Sequence, residues 1–135
     1  WHSEPMVFVC HRSHPLAKKK TVSVRELDGE NFVAFDRGLS IRKAVDKALR
    51  QRGATVSIAM EFDNIETIKH AITIQSGVSI LPRPSVAREV ESGTLAAIPL
   101  DMPDLVRPIG IIHRRQKLLT PTAQELLVFL KTQKQ

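Results

Sequence analysis

Apolar positions along this chain recur with two different periods, and segments with one period alternate with segments with the other. Runs in which apolar residues are adjacent or alternate with polar ones predict strands, whereas apolar residues three or four positions apart predict helices. The predicted strands cover residues 5–11, 31–35, 56–62, 78–81, 94–100 and 105–113. The predicted helices are a single turn at 24–27 and longer helices at 41–51, from 65, at 84–91 and from 121. Because strands and helices alternate, the sequence predicts an α/β domain with a largely parallel sheet.

The stretch from residue 56 to 82 is the centre of this arrangement and predicts a strand, a helix and a second strand. Asp63 and Glu66 have the spacing of a capping box, in which the cap side chain and the acid at the third helical position bind each other's backbone amides. Gly77 is expected to end the helix in the left-handed conformation. The helix should bury one apolar stripe, formed by Ile65, Ile68, Ala71 and Ile72.

Two of the predicted helices begin directly after a strand, one after Phe35 and one after Phe62. The first amides of a helix lack partners within the helix and favour anions. In open α/β sheets, ligands bind beyond the carboxyl ends of the strands. We therefore expect a binding site where these two corners meet, with Ser40 as the cap of the first helix.

The last predicted helix has the clearest start signal. Thr120 is a good cap, and Pro121 fits the first helical position because its missing amide hydrogen has no partner there anyway. Pro108 weakens the preceding strand or places it at an edge. The helix is expected to bury four apolar residues, Ala123, Leu126, Leu127 and Leu130.

Composition limits the class of protein. The chain has 135 residues, of which 42% are hydrophobic and 25% charged, as in one ordinary globular domain or two small lobes. No apolar run is long enough to cross a bilayer. The single cysteine, Cys10, excludes an internal disulfide and is typical of a reducing, cytoplasmic compartment. The net charge of +6 is spread over separated clusters without interleaved aromatic residues, which favours a solvated basic surface over a nucleic-acid site.

The segment after the first strand offers possible metal ligands in Cys10, His11 and His14. A structural zinc site needs four ligands, and no second cluster follows, so a strand end and a turn are the favoured interpretation. Cys10 itself is expected to be a buried, inert thiol. No nucleophile elbow, Walker A loop or dinucleotide fingerprint occurs, and no metal or cofactor is expected.

Carboxylates near the two corners could form a catalytic pair, although loop and capping roles explain them. They are Asp36, Glu61, Asp63 and Glu66. These carboxylates leave a small hydrolase or transferase, using the same cleft, as an alternative function.

Five short segments carry a resemblance that covers nearly the whole chain. They are His14–Ala17, Phe32–Phe35, Glu61–Lys69, Gly77–Pro82 and Gly93–Leu95. In order and spacing they resemble the effector-binding region of LysR-type bacterial transcriptional regulators. The resemblance implies a fold like that of periplasmic solute-binding proteins, with one complete lobe built on a Rossmann-like mixed sheet and remnants of the other. It also implies a non-enzymatic sensor that binds a small effector, often an anion, between the lobes.

The resemblance divides the chain into three parts. Residues 1–21 would form a first-lobe strand and a hinge crossing, 22–98 the second lobe, and 99–135 the return crossing, a first-lobe strand and the C-terminal helix. The first half of lobe one and the N-terminal winged helix-turn-helix would lie outside this chain, so DNA would be bound only through that domain. A homodimer or higher homo-oligomer is implied, with the helix from Ile41 and the strand from Val56 as contacts and no membrane partner.

The resemblance also implies where the effector binds, and this place agrees with the corners predicted above. Arg37 would offer a paired charge to a carboxylate or sulfate. The two hinge crossings, near His11 and Pro99, would add contacts. The full set of expected effector-binding residues is Asp36, Arg37, Gly38, Ser40, Asn64, Ile65, His11 and Pro99.

Overall fold

The computed structural model describes residues 1–116 and 118–133. Six strands alternate with four α-helices, which confirms the α/β class. The strands are β1 (His2–His11), β2 (Asn31–Phe35), β3 (Ser57–Phe62), β4 (Ser79–Pro82), β5 (Leu95–Pro99) and β6 (Val106–Ile109). The helices are α1 (Ser40–Gln51), α2 (Ile65–Thr73), α3 (Ala87–Glu91) and α4 (Pro121–Thr132), with 3-10 turns at Val24–Leu27 and Arg83–Val86.

The sheet is mixed, and the expectation of a largely parallel sheet is wrong. β2 and β3 pair in parallel, but β1 runs antiparallel to β4, β5 and β6. A single parallel bridge between Phe32 and Val78 joins β2 to the start of β4. The hydrogen bond from the Val33 amide to the Val78 carbonyl, at 2.8 Å, closes this junction. The strand order across the domain is therefore β3, β2, β4, β1, β5.

β1 is the longest strand and takes part in two pairings along its length. Its first half, His2–Pro5, pairs with β6, and its second half pairs with β4 and β5. Residues 6–11 therefore lie at the centre of the main sheet, between β4 and β5, whereas the resemblance implies that they belong to a first-lobe strand. His11 pairs with Leu95 at the far end of the strand, and the change of pairing partner from β6 to β4 falls at Pro5–Met6.

The core lies on both faces of the sheet. On one face, Phe8, Ile80 and Leu27 pack with the buried side of α1. On the other face, Val9 and Leu81 pack against α2. The predicted stripe of α2 is confirmed, because Ile68, Ala71 and Ile72 are buried and Ile65 is half-buried. Each such side chain contributes about 1.5–3 kcal/mol when it is fully removed from water.

The turn after α2 differs from the sequence expectation. Gln75, not Gly77, takes the left-handed conformation, with φ of 61°. Gly77 is needed for a different reason, since a Cβ atom there would lie 2.6 Å from the Asn31 carbonyl oxygen. The glycine lets β2 and β4 approach at their junction.

The C-terminal helix is capped as predicted but is not buried as predicted. The Thr120 hydroxyl accepts a hydrogen bond from the Ala123 amide at 3.2 Å. Leu126 and Phe129 are each 57% exposed, and none of the residues of α4 is buried. The reason is that α4 follows β6 at the periphery and rests on little of the described chain beyond Trp1, whose indole donates to the Leu130 carbonyl. Among the described helices, none has the length and apolar character needed to cross a bilayer.

Candidate functional site

A cleft of about 530 Å³ lies where β2 and β3 end, within the range of small-molecule sites. Four parts of the chain form it: the middle of β1, the corner between β2 and α1, the corner between β3 and α2, and β6. Its lining consists of Met6, Phe35, Leu39, Ser40, Ile41, Ala44, Asp63, Ile65, Val106, Arg107 and Pro108. The two corners expected to meet therefore do share one cleft.

The first corner presents an uncapped helix start. The residue at the cap position of α1 is Leu39, which makes no side-chain hydrogen bond. The expected cap, Ser40, is already the first helical residue, so that expectation is wrong. The first helical hydrogen bond runs from the Lys43 amide to the Leu39 carbonyl. The amides of residues 40–42 have no hydrogen-bond partner among the described residues, as is usual at a helix start, and Ser40 and Ile41 line the cleft.

The second corner presents a capped helix start. The Asn64 side-chain oxygen accepts hydrogen bonds from the Glu66 amide at 2.7 Å and from the Thr67 amide at 3.4 Å. The expected capping box of Asp63 and Glu66 is wrong, because α2 begins at Ile65 and Asn64 occupies the cap position. The Asp63 side chain is therefore not needed by the helix and lies in the cleft lining, without a hydrogen-bond or ion-pair partner in residues 1–116 and 118–133.

Arg42 holds the first corner from behind. Its side chain is 8% exposed, and one guanidinium nitrogen donates to the Phe35 carbonyl at 2.7 Å. Nε lies 3.0 Å from both carboxylate oxygens of Asp46, and the nitrogen that donates to Phe35 also lies 3.5 Å from a carboxylate oxygen of Glu61 on β3. Arg42 thus ties the end of β2 to α1 and β3. Sequence reasoning missed it, although the spacing of Arg42 and Asp46 by four residues was the available signal.

Lys69 holds the second corner from behind. Its buried ammonium lies 2.7 Å from Glu89 and 2.9 Å from Glu66, and donates to the Ser85 carbonyl at 2.9 Å. Burial alone would lower the pKa of Lys69, but the bonds to Glu89 and Glu66 outweigh it and raise this pKa above its ordinary value. Burial would likewise raise the pKa of Glu89, but the bond to Lys69 outweighs it and the pKa is lowered.

The far wall of the cleft carries a charge pair. Arg107 on β6 donates from Nε at 2.9 Å and from a terminal nitrogen at 2.6 Å, both to the same oxygen of Glu4. Glu4 is 8% exposed, so this is a mostly buried pair at the edge of the cleft. The two residues are separated by 103 positions, and the sequence alone gave no signal that they meet.

The residues expected at the corners fall into two groups. Ser40 and Ile65 line the cleft. The other four lie in the same corners but outside the lining: Asp36, Arg37, Gly38 and Asn64. The Asp36 amide donates to the Phe62 carbonyl at 2.9 Å, which ties the two corners together. The Arg37 side chain is 82% exposed, and its Nε lies 3.4 Å from a carboxylate oxygen of Glu61.

The two residues expected at the crossings lie elsewhere. His11 lines a second pocket of about 240 Å³ at the opposite end of the sheet, where Nδ1 is 2.7 Å from the Ser13 hydroxyl. Pro99 is exposed and pairs with Val7, outside the cleft lining. The physical reason is the direction of β1, which carries His11 away from the strand ends that form the cleft.

The single cysteine has a buried, unreactive thiol. Cys10 is buried in β1, and burial, together with the nearby charge of Glu30, raises the pKa of its thiol to about 12. The thiol is therefore protonated at neutral pH and a poor nucleophile. In the part of the chain that the structure describes, no group of three or more His, Cys, Asp or Glu side chains is arranged to hold a metal ion.

Sequence comparisons identify relatives with longer chains. The family model described as the LysR substrate binding domain matches residues 1–135. The transcriptional dual regulator GltC of Bacillus subtilis (strain 168) is 30% identical over 118 residues, covering 87% of this chain and 39% of the relative. The transcriptional activator CmpR of Synechocystis sp. (strain ATCC 27184 / PCC 6803 / Kazusa) is 32% identical over 126 residues, covering 93% of this chain and 41% of the relative. The chain thus spans about two fifths of the length of these relatives.

Solved structures share the fold. The regulatory domain of CcmR from Synechocystis PCC6803, in complex with 2-PG, matches with a TM-score of 0.81 and 24% identity over 99% of this chain and 66% of that chain. The effector binding domain of QuiR, in complex with shikimate, matches with a TM-score of 0.82 and 15% identity over 99% of this chain and 65% of that chain. These matches confirm the fold that the resemblance implied. With the family match over its whole length, the chain belongs to the LysR substrate binding domain family.

Proposed function

We propose that this chain is the effector-sensing part of a LysR-type transcriptional regulator and that its cleft binds a small, anionic metabolite. The observation that carries the proposal is the cleft at the two strand ends, which is lined by Ser40 and Ile41 at the uncapped start of α1. Related domains have been solved with 2-PG and with shikimate bound, which supports a small-molecule site.

The anionic character of the effector follows from the start of α1. A helix start with open amides carries a partial positive charge and supplies hydrogen-bond donors to a carboxylate or phosphate. Ser40 adds a hydroxyl at the same place on the cleft lining. An anionic group of the ligand would therefore bind at Ser40, and the rest of the ligand would contact the apolar wall.

Sensing fits the cleft better than catalysis. The lining, as the structure describes it, contains no histidine, cysteine or lysine, and its one carboxylate, Asp63, makes no hydrogen bond to Ser40, so no base is positioned to activate Ser40 as a nucleophile. The serine–histidine contact between Ser13 and His11 lies in the other pocket, at the opposite end of the sheet. A hydrolase or transferase acting in this cleft is not supported.

The proposal includes a two-lobed arrangement. We assign residues 6–100 to the second lobe, and His2–Pro5, β6 and α4 to the first lobe, because only β1 is shared between the two groups of strands. DNA would be bound by a further domain of the full regulator, which acts in the cytoplasm. Effector binding between the lobes would change the position of that domain.

A dimer belongs to the same proposal. In the described residues β3 has a strand neighbour on one side only, and its residues Ser57, Ile58 and Ala59 are exposed. An exposed strand edge with an apolar side chain favours pairing with a second copy. Light scattering should give a dimer, and Ile58→Asp should shift it toward the monomer. A wild-type chain that is monomeric at all concentrations would contradict this part.

The central test is calorimetric titration of the chain with small carboxylates, including shikimate and 2-PG. Ser40→Asp places a negative charge at the helix start, so we expect it to abolish binding while leaving stability unchanged or slightly higher. Thr122→Asp is the matched control, because it places the same charge in the first turn of α4, outside the cleft lining. Equal binding by the two variants would contradict the proposed site.

A further inference from the structure

Asp63 is a charged residue of the cleft that neither the fold nor the helix cap uses. Asn64 accepts the hydrogen bonds of the first α2 amides, so the carboxylate of Asp63 is not a cap. It lies in the cleft lining and has no hydrogen-bond or ion-pair partner among residues 1–116 and 118–133. A negative charge in this position therefore acts on whatever the cleft binds.

The only side-chain cation of the described lining is already occupied. Arg107 gives two hydrogen bonds to one oxygen of the mostly buried Glu4. The described lining thus holds the carboxylate of Asp63 and the guanidinium of Arg107, and the charge of Arg107 is already balanced by Glu4. The open amides at the start of α1 are the remaining positive feature, and they suit one anionic group.

The rest of the wall is apolar. It consists of Met6, Phe35, Leu39, Ile41, Ala44, Ile65, Val106 and Pro108. A ligand that is polar on all sides would lose hydrogen bonds to water along this wall without regaining them. The body of the ligand is therefore an aliphatic or aromatic group.

From these three features, and resting on the proposed function of the cleft, we infer that the effector is an α-amino acid with an apolar side chain. Its carboxylate binds the amides of α1 and the Ser40 hydroxyl, its ammonium faces Asp63, and its side chain contacts the apolar wall. Asp63 is then the residue that determines specificity, because it attracts the ammonium and repels a second anionic group.

The size of the effect follows from Coulomb's law. Asp63 is exposed and its charge is screened by solvent, so an ammonium a few ångströms away should gain about tenfold in affinity, equivalent to about 1.4 kcal/mol. Loss of the ammonium should therefore weaken binding by about tenfold, and a second anionic group should weaken it by about as much again. Asp63→Asn keeps the shape of the side chain but removes both the attraction of the ammonium and the repulsion of a second anionic group.

The experiment is calorimetric titration of the 135-residue chain with matched probes. The probes are leucine and its deaminated analogue 4-methylpentanoate, phenylalanine and 3-phenylpropanoate, and the polyanion 2-PG. We expect one of the amino acids to bind about tenfold more tightly than its analogue, and 2-PG to bind most weakly. In Asp63→Asn the amino acid and its analogue should bind equally, whereas Glu91→Gln, which removes an exposed carboxylate outside the lining, should keep the original order.

The outcomes separate this inference from the function on which it rests. If an analogue or 2-PG binds as tightly as the amino acid, with the same order in Asp63→Asn, the amino acid assignment is overturned and the effector cleft stands. If no probe binds, or if Ser40→Asp leaves binding unchanged, the proposed function is overturned together with the inference.

Discussion

The two corners of the cleft have the same layout, a strand followed by a short loop and a helix, but they treat the helix start in opposite ways. At α1 the cap position is held by Leu39, and the first amides are open to the cleft. At α2 the side chain of Asn64 occupies the first amides. In the proposed site, donors would therefore come from the start of α1, whereas α2 would contribute an apolar wall and the charge of Asp63.

The difference also affects stability. A missing cap costs about 1 kcal/mol, and the fold accepts this cost at α1. Arg42 offsets it with bonds to the Phe35 carbonyl and to Asp46. The corner at α1 is thus stabilised by the buried side chain of Arg42, which leaves the first amides of the helix open. The corner at α2 is stabilised by two side chains, the cap Asn64 and the buried Lys69.

The largest expected effect comes from removing the support behind the capped corner. Lys69→Met leaves Glu89 partly buried without its cation, and we expect a loss of about 3 kcal/mol in the free energy of unfolding. Urea denaturation measures it. Glu91→Gln is the control on the same short helix, with an exposed side chain, and should change little. A loss below about 1 kcal/mol would mean that Lys69 does not anchor α2.

The same anchor predicts a pH dependence. The pKa of Glu89 is lowered below 4.5, so its contribution is present above that pH and is lost as the pH falls through the lowered value. The pKa of Lys69 is raised above 10.5, so its contribution is lost as the pH rises through the raised value. The stability gap between wild type and Lys69→Met should therefore be widest between these limits and narrow on both sides. If the stability difference between wild type and Lys69→Met stays constant from about pH 3 to about pH 7, the assignment is contradicted.

The support behind the open corner should have a smaller effect. Arg42→Met keeps much of the apolar stem but leaves the Phe35 carbonyl without its donor, and we expect a loss of about 2 kcal/mol. Hydrogen exchange should become faster at the Asp36 amide, which bonds to Phe62 across the two corners. If exchange at Asp36 is unchanged, Arg42 does not hold this loop.

The caps themselves give the next effect. Asn64→Ala should cost about 1 kcal/mol, whereas Asp63→Ala should cost less than half as much, because only Asn64 accepts the helix amides. Thermal denaturation of the two variants side by side measures the difference. A larger stability loss for Asp63→Ala than for Asn64→Ala would support the capping box predicted from the sequence.

The smallest stability effect is expected at the open helix start. Ser40→Ala should change the free energy of unfolding by less than about 0.5 kcal/mol, because Ser40 makes no capping bond. It should nevertheless weaken binding of a carboxylate ligand, since a hydroxyl donor is lost from the lining. Calorimetry tests the weaker binding, and denaturation of the same sample tests the free energy of unfolding. A stability loss like that of Asn64→Ala would remove the contrast between the corners.

Local features were predictable from sequence, because their signals lie within one turn or strand. The stripe of α2 and the cap at Thr120 are examples. The cap of α2 was misplaced by one residue, since Asp63 and Asn64 are both good caps and only the phase of the helix decides between them. Ser40 was misplaced for a different reason, because Leu39, a poor cap, holds the cap position and Ser40 is already the first helical residue.

Long-range features were not predictable. A continuous apolar run such as that of β1 indicates burial on both faces but carries no direction. The antiparallel course of β1 brings Met6 to the cleft and takes His11 away from it. The pairing of Arg107 with Glu4 likewise depends on the whole fold, so the part of the cleft wall that β1 and β6 form could not be predicted from sequence patterns.

One consequence of the shared strand β1 concerns movement. Pro5 closes the part of β1 that pairs with β6, and Met6 opens the part that pairs with β4. A proline has a nearly fixed φ angle, so little slack is available at this link. Under the proposed function, a ligand that drew β6 toward the two corners would therefore rotate the first half of β1, and the rotation would reach β4 as a twist of the same continuous strand.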